Sequence, residues 1–74
     1  MMLTVFTKNN CPFCDQTKAF LDTLGISYTI YNIQEDDSNF QKIIDMGYKQ
    51  VPVVLTDTGE SWSGHQPAKL MKLK

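Results

Sequence analysis

The hydrophobic pattern changes abruptly at Pro12, and this change constrains the fold more than any other feature of the sequence. Before it, residues 3–6 form a short run of the residue types that favour a β-strand. After it, apolar or small side chains recur at the spacing of one helix face, at Phe13, Thr17, Phe20, Leu21 and Leu24. Proline favours the first helical position and Gly25 the position after the end. A strand followed directly by an amphipathic helix predicts the start of an α/β domain.

A second strand and a second helix are predicted in the middle of the chain. Residues 28–33 are rich in β-branched and aromatic side chains, which favours a strand. One of the residues 36–38 is expected to cap the helix, and Gly47 is expected to end it. The face of this helix that we expect to be buried carries Phe40, Ile43 and Ile44.

The last third of the chain predicts a hairpin and a short helix. Residues 51–55 are the third strand in this prediction, residues 56–59 the turn, and residues 60–63 the fourth strand. Gln66 and Pro67 open the last helix. Its core-facing residues are expected to be Leu70, Met71 and Leu73.

The element order β-α-β-α-β-β-α predicts an α/β fold. A helical connection between the first two strands makes them parallel with a right-handed crossover, and the hairpin adds antiparallel strands. We therefore expect a four-stranded mixed sheet flanked by three helices. A chain of 74 residues is long enough to form only one hydrophobic core, so a single domain over residues 1–74 is expected.

Charge and composition argue against several classes of partner. The formal net charge is −1, all seven cations are lysine, and arginine, which most often reads and stacks on nucleic-acid bases, is absent. No apolar run approaches the roughly 18 residues of a membrane span. We therefore expect no nucleic-acid or membrane partner. Because the N-terminal segment lacks the features of a signal peptide, a cytoplasmic location is expected. We also expect the protein to be a monomer.

The two cysteines, Cys11 and Cys14, are separated by only two residues. A disulfide between them closes a very small loop and stabilises the fold little, so a chemical role is the better explanation. Cys11 directly precedes the helix, where unpartnered N–H groups favour a thiolate, and Lys8 is expected to add a second favourable charge. These features predict that Cys11 attacks a substrate disulfide and that Cys14, which lies further inside, resolves the mixed disulfide.

Metal binding is the alternative explanation of a Cys-x-x-Cys pair. Structural zinc takes four nitrogen or sulfur ligands, whereas this chain offers Cys11, Cys14 and the distant His65. We therefore expect no metal site within one chain. A site that bridges two chains through Cys11 remains open and would make the protein an iron–sulfur cluster carrier, with a visible absorption band.

Three segments resemble a known family. Residues 7–14, TKNNCPFC, resemble the active site of a glutaredoxin, a family with the thioredoxin-like fold, and the resemblance covers essentially the whole chain. Residues 47–54, GYKQVPVV, and residues 62–67, WSGHQP, resemble the NrdH-type redoxins among the glutaredoxin-like proteins. By this resemblance Cys11 and Cys14 are the redox pair, and Pro52 is a cis-proline that packs beside the dithiol.

The resemblance implies a dithiol–disulfide electron carrier that uses the redox-active Cys11–Cys14 disulfide and holds no bound cofactor. It implies reduction by thioredoxin reductase, with electrons ultimately from NADPH. It also implies that the oxidised partner is ribonucleotide reductase, in deoxyribonucleotide synthesis, or another protein disulfide. The residues expected to bind substrate or partner are Lys8, Pro12, Phe13, Gln50, Val51, Pro52, Trp62, Ser63 and Gly64.

Some residues depart from the redoxin pattern. His65 and Gln66 replace the Phe and Arg of the signature Trp-Ser-Gly-Phe-Arg-Pro, and Pro12-Phe13 between the cysteines resembles glutaredoxins proper. The alternative function is therefore a glutathione-dependent glutaredoxin. Against it, Gln50 replaces the Thr of the glutathione-binding segment, and residues 61–68 contain no acid to hold the ammonium group of glutathione.

Three side chains near these motifs have both a structural and a functional explanation. We expect Phe13 to be exposed at the start of the helix and able to contact a partner. Trp62 is expected to be half-buried at one end of the core, where it closes the core, contacts a partner, or does both. His65 is expected to be a surface residue. The alternative is that His65 donates a proton beside the dithiol.

Overall fold

A computed structural model describes residues 3–73, so that Met1, Met2 and Lys74 lie outside the described part of the chain. The element order predicted from the sequence is confirmed. In chain order the elements are β1 (Leu3–Thr7), α1 (Pro12–Leu24), β2 (Tyr28–Asn32), α2 (Asp37–Asp45), β3 (Val53–Thr56), β4 (Ser61–Ser63) and α3 (Pro67–Met71).

The four strands form one mixed sheet in the order β2-β1-β3-β4. β1 runs parallel to β2, with Leu3 opposite Tyr28, and antiparallel to β3, with Val5 opposite Val54. β3 and β4 form the antiparallel hairpin. Because β1 has a neighbour on both sides, it is buried along most of its length and delivers the chain at Thr7 to the loop before the cysteines.

Helix α1 begins and ends where its sequence signals predict. Pro12 occupies the first turn, and Gly25 ends the helix in the left-handed conformation, with φ of 72°, which glycine adopts without a steric penalty. Its buried residues are Cys14, Thr17 and Leu21. Leu21 belongs to the larger of two core clusters, together with Leu3, Val5, Val54, Trp62 and Leu70. This packing fixes α1, and with it the cysteines, against the sheet.

The predicted burial of the other two helices is partly wrong. In α2 only Ile43 is buried, whereas Phe40 and Ile44 are exposed. α2 packs against the edge strand β2, so the sheet covers only a narrow side of that helix. In the five-residue helix α3, Leu70 is buried but Met71 is exposed, because so short a helix presents only one side to the core.

The strand boundaries differ from the prediction by one or two residues. β3 begins at Val53 rather than at residue 51, since Pro52 has no N–H to donate to a ladder. β2 ends at Asn32 and β4 begins at Ser61, each one residue inside the predicted range. The segment before β3 is therefore irregular backbone that leads to the active-site region.

Helix α2 has the predicted type of cap. Asp36 precedes it and accepts hydrogen bonds from the backbone N–H of Ser38 at 2.9 Å and from its hydroxyl at 2.8 Å. The backbone hydrogen bond, with a smaller contribution from the hydroxyl, lowers the pKa of Asp36. Among residues 3–73, no helix is both long and apolar enough to cross a membrane.

Candidate active site

Cys11 and Cys14 form a disulfide at the N-terminus of α1, with their Cα atoms 5.2 Å apart. Cys11 is the residue that caps the helix, and the backbone N–H of Cys14 donates to its Sγ at 3.1 Å. Cys11 is 6% exposed, whereas Cys14 is 0% exposed. Cys11 is therefore the cysteine of the pair that is accessible to a substrate. The division into an attacking Cys11 and a resolving Cys14 stays a prediction, and the more exposed cysteine is the one that it assigns to attack.

The loop before Cys11 is held against the end of β2. The backbone N–H of Asn9 donates to Oε1 of Gln34 at 2.8 Å, and Nδ2 of Asn32 donates to Oδ1 of Asn9 at 3.0 Å. Asn10 has a φ of 56°, in the left-handed region that asparagine tolerates better than most residues. Sequence reasoning missed these contacts, for which the only signal was the density of amide side chains in both segments.

A groove of about 320 Å³ opens beside Cys11. It brings together two groups of predicted site residues that are far apart in the sequence. The lining residues are Lys8, Asn10, Cys11, Pro12, Phe13, Ile33, Lys49, Gln50 and Val51. Phe13 is exposed, as predicted.

Both charged residues that line the groove are lysines, Lys8 and Lys49. The single ion pair found within residues 3–73 joins two residues of α1, so neither of these lysines is neutralised by a neighbouring carboxylate. The charges that line the groove are therefore both positive, in a chain whose net charge is negative. Sequence reasoning identified Lys8 but missed Lys49, which lies 38 positions after Cys11.

The segment 50–52 forms one wall of the groove: Gln50 and Val51 line it, and Pro52, which follows them, is buried and does not line it. The peptide bond between Val51 and Pro52 is cis, as the family resemblance implied. No hydrogen bond within the described residues uses the backbone N–H or C=O of Val51. These two groups are available to a bound chain.

The third predicted group, Trp62, Ser63 and Gly64, lies behind the wall rather than in the groove. Ser63 Oγ donates to the carbonyl oxygen of Gln50 at 3.1 Å, and the N–H of Gly64 donates to that of Pro52 at 2.7 Å. The expectation that Trp62 is half-buried is wrong. Its side chain is only 4% exposed, because the ring packs within the larger core cluster. Ser63 and Gly64 thus support the wall through hydrogen bonds. Contact of Trp62 with a partner stays a prediction, and only a small part of its ring is accessible for such a contact.

The two residues that depart from the redoxin signature make local contacts of their own. His65 is part-buried, and its Nδ1 lies 2.9 Å from Oγ1 of Thr17 on α1, while Nε2 of Gln66 donates to the carbonyl of Ser63 at 2.8 Å. His65 does not line the groove. His65 is thus a partly exposed residue with one hydrogen bond to α1, and its role as a proton donor beside the dithiol stays a prediction. In residues 3–73 no cluster of three or more His, Cys, Asp or Glu side chains has a metal-binding arrangement.

Comparison with known proteins places the chain among redox proteins. The glutaredoxin family model matches residues 3–59. The glutaredoxin-like protein NrdH of Lactococcus lactis subsp. cremoris is 38% identical over 72 residues, which cover 97% of this chain and 99% of the relative. The glutaredoxin-like protein NrdH of Salmonella typhimurium is 31% identical over 74 residues, covering 99% and 89% of the two chains.

The fold has a similarly close match among solved structures. The NrdH-redoxin of Escherichia coli, a glutaredoxin-like protein described as having a thioredoxin-like activity profile, superposes with a TM-score of 0.94. The two chains are 28% identical, and the match covers 100% of this chain and 96% of that one. The four-stranded sheet and three helices are therefore shared along the full length of the described chain.

Proposed function

Because the chain belongs to the glutaredoxin family, and is an NrdH-type thiol–disulfide oxidoreductase, we propose that it carries electrons from thioredoxin reductase to protein disulfides. The electrons come ultimately from NADPH, and the proposed acceptor is ribonucleotide reductase or another protein disulfide. The observation that carries the proposal is the Cys11–Cys14 disulfide at a helix N-terminus, with one sulfur at a groove and the other beneath it.

The proposed reaction moves two electrons by two successive exchanges. In the reduced protein, the Cys11 thiolate attacks one sulfur of the substrate disulfide, and the other substrate sulfur leaves as a thiolate that takes up a proton. Cys14 then loses its proton and attacks the Cys11 sulfur of the mixed disulfide. This step releases the second substrate thiol and restores the Cys11–Cys14 disulfide. The reductase reverses both exchanges and returns the two electrons.

The groove residues have distinct proposed roles in this reaction. Gln50, Val51 and Pro52 form the wall along which an extended substrate lies, bonded through the unpaired backbone groups of Val51. Phe13 offers an exposed apolar contact next to Pro12. Lys8 and Lys49 favour the thiolate of Cys11 because their charge stabilises the anion more than the thiol.

Reversing the charge of the groove is expected to slow attack by Cys11. We expect the double substitution Lys8→Glu and Lys49→Glu to lower the rate constant at neutral pH roughly two- to fivefold, the size of effect typical of exposed charge pairs. The rate is measured by mixing the reduced protein with a disulfide substrate, and the thiolate fraction is followed by ultraviolet absorbance. Lys72→Glu, at an exposed position outside the groove, is the matched control. Equal rates for the control and the double variant would contradict the role of the groove charge.

Glutathione is the alternative reductant, and one observation favours it: the two lysines of the groove match its two carboxylates. Residues 61–68 contain no acidic side chain that could bind the ammonium group of glutathione, and this absence favours thioredoxin reductase as the electron donor. Mixing the oxidised protein with NADPH and thioredoxin reductase is expected to consume NADPH. Glutathione with glutathione reductase is expected to give much slower consumption. NADPH loss with the glutathione system alone would establish the alternative.

The setting of this activity is part of the proposal. We propose a monomeric carrier, a single domain over residues 1–74, that acts in the cytoplasm on the disulfides of other proteins. Gel filtration of the reduced and oxidised protein tests the monomer. An iron–sulfur cluster that bridges two chains through Cys11 would instead give a coloured dimer.

A further inference from the structure

Two elements that are far apart in the sequence form the groove. One is the N-terminal turn of α1, which carries both cysteines, and the other is the segment 50–52, which we call the substrate wall. Within residues 3–73 no hydrogen bond joins these two elements directly. A protein disulfide that lies along the wall reacts only when its sulfur is in line with Cys11, so the separation of the two elements matters for the rate.

The residues after β4 are bonded to the substrate wall. Ser63 Oγ donates to the carbonyl of Gln50 at 3.1 Å, and the N–H of Gly64 donates to the carbonyl of Pro52 at 2.7 Å. Neither Ser63 nor Gly64 lines the groove, so both bonds reach the wall from outside the groove lining. Residues 63–65, which we call the strap, therefore hold the wall in place.

The last residue of the strap is bonded to α1. Nδ1 of His65 lies 2.9 Å from Oγ1 of Thr17, and the His65 ring packs edge-on against Phe20 with centroids 6.2 Å apart. Thr17 is only 1% exposed and lies three residues after Cys14 on the buried face of the same helix. The strap thus contacts the substrate wall through two residues and the dithiol helix through the next one.

We propose that His65 is a positioning residue, which acts through Thr17 to hold the dithiol helix at the separation from the substrate wall that a protein disulfide requires. The hydroxyl of Thr17 is buried, and its bond to His65 is the one hydrogen bond that the side chain makes within the described chain. A buried hydroxyl that loses its partner is costly, so the helix or the strap shifts to satisfy it. The inference rests on the proposed function, since it assumes that the substrate is a protein disulfide.

The test compares a large and a small disulfide in single turnovers of the prereduced protein, which need no reductase. With insulin as substrate, we expect His65→Phe and Thr17→Val each to lower the rate constant roughly five- to tenfold, as expected for one lost buried hydrogen bond. With a small aromatic disulfide the rate is expected to stay unchanged, because that substrate contacts Cys11 without lying along the wall. The double variant is expected to be no slower than the single ones, since both remove the same bond.

Two further variants separate positioning from stability. His65→Asn is expected to restore much of the insulin rate, because its amide presents a hydrogen-bonding atom near the place of Nδ1. Thr23→Val is the matched control, since Thr23 is an exposed threonine of α1 that bonds only within the helix, to the carbonyl of Ala19. Thermal unfolding of each variant gives the folded fraction, to which the rates are normalised. If His65→Phe does not fold, Thr17→Val and His65→Asn carry the same comparison.

Each remaining outcome has a definite meaning. Insulin rates of the His65 and Thr17 variants equal to that of the Thr23 control, after normalisation, would overturn the positioning role alone. So would a loss of rate that is the same for insulin and for the small disulfide. A wild-type protein that reacts with the small disulfide but not with insulin would overturn the proposed function and the inference together.

Discussion

Replacing Cys11 with serine is expected to abolish disulfide reduction, whereas replacing Cys14 with serine is expected to preserve the first attack and stop the second. Cys11 lines the groove, and its sulfur accepts a hydrogen bond from the backbone N–H of Cys14, while Cys14 is fully buried. A serine hydroxyl supplies no thiolate at neutral pH, so the Cys11 variant has no nucleophile. The Cys14 variant forms a mixed disulfide that it cannot resolve.

Mass spectrometry of each variant after mixing with a disulfide substrate measures the trapped product. We expect a stable adduct for Cys14→Ser and none for Cys11→Ser, with the double serine variant as the control for non-covalent association. Adducts on the Cys11 variant instead would reverse the assignment of the two cysteines.

The Cys14→Ser variant also isolates the thiol of Cys11 for titration. The N–H of Cys14 donates to Sγ of Cys11 at the start of α1, and this donor and the two groove lysines favour the anion, so we expect the pKa of Cys11 to be below the usual value of about 8.5. The measurement is thiolate absorbance against pH. A Cys11 thiol that remains fully protonated well above neutrality would contradict the proposed mechanism.

Truncating Leu70 is expected to destabilise the fold far more than any substitution at the groove. Leu70 is 0% exposed and belongs to the larger core cluster, whereas its neighbour Met71 is 61% exposed. We expect Leu70→Ala to lower the free energy of unfolding by about 2–5 kcal/mol, because it leaves a cavity in the core. That is a large part of the few kcal/mol typical of so small a domain.

Met71→Ala is the matched control, one position further along the same helix. We expect it to change the free energy of unfolding by less than about 0.5 kcal/mol, as for most exposed positions. Urea unfolding followed by circular dichroism measures both variants. Equal destabilisation by the two substitutions would mean that α3 packs with a different face against the core.

Local signals in the sequence were sufficient for the order of the elements and for the position of the redox pair. Pro12 and Gly25 bound α1, and a cap for α2 was expected among residues 36–38, because caps and turns depend on residues next to one another in the chain. The placement of Cys11 at the helix N-terminus follows from the same signals. The resemblance to glutaredoxins added the cis bond before Pro52, which spacing alone does not indicate.

How much of an apolar face is buried could not be predicted from the sequence. Phe40, Ile44 and Met71 lie on faces that periodicity predicts to be buried, yet they are exposed. Periodicity shows which side of a helix is apolar, whereas the width of the covered stripe depends on the partner element. The edge strand beside α2 and the shortness of α3 left these residues uncovered.

The composition of the groove and its support were decided by the tertiary structure alone. Lys49 meets Lys8 at the groove because the irregular segment before β3 passes Cys11, and His65 meets Thr17 across 48 positions of the chain. The sequence by itself determined the chemistry at Cys11, since a helix N-terminus next to a thiol is a local arrangement. Which residues surround that thiol was set by strand pairing and helix packing, because contacts between distant residues depend on how the elements are arranged in space.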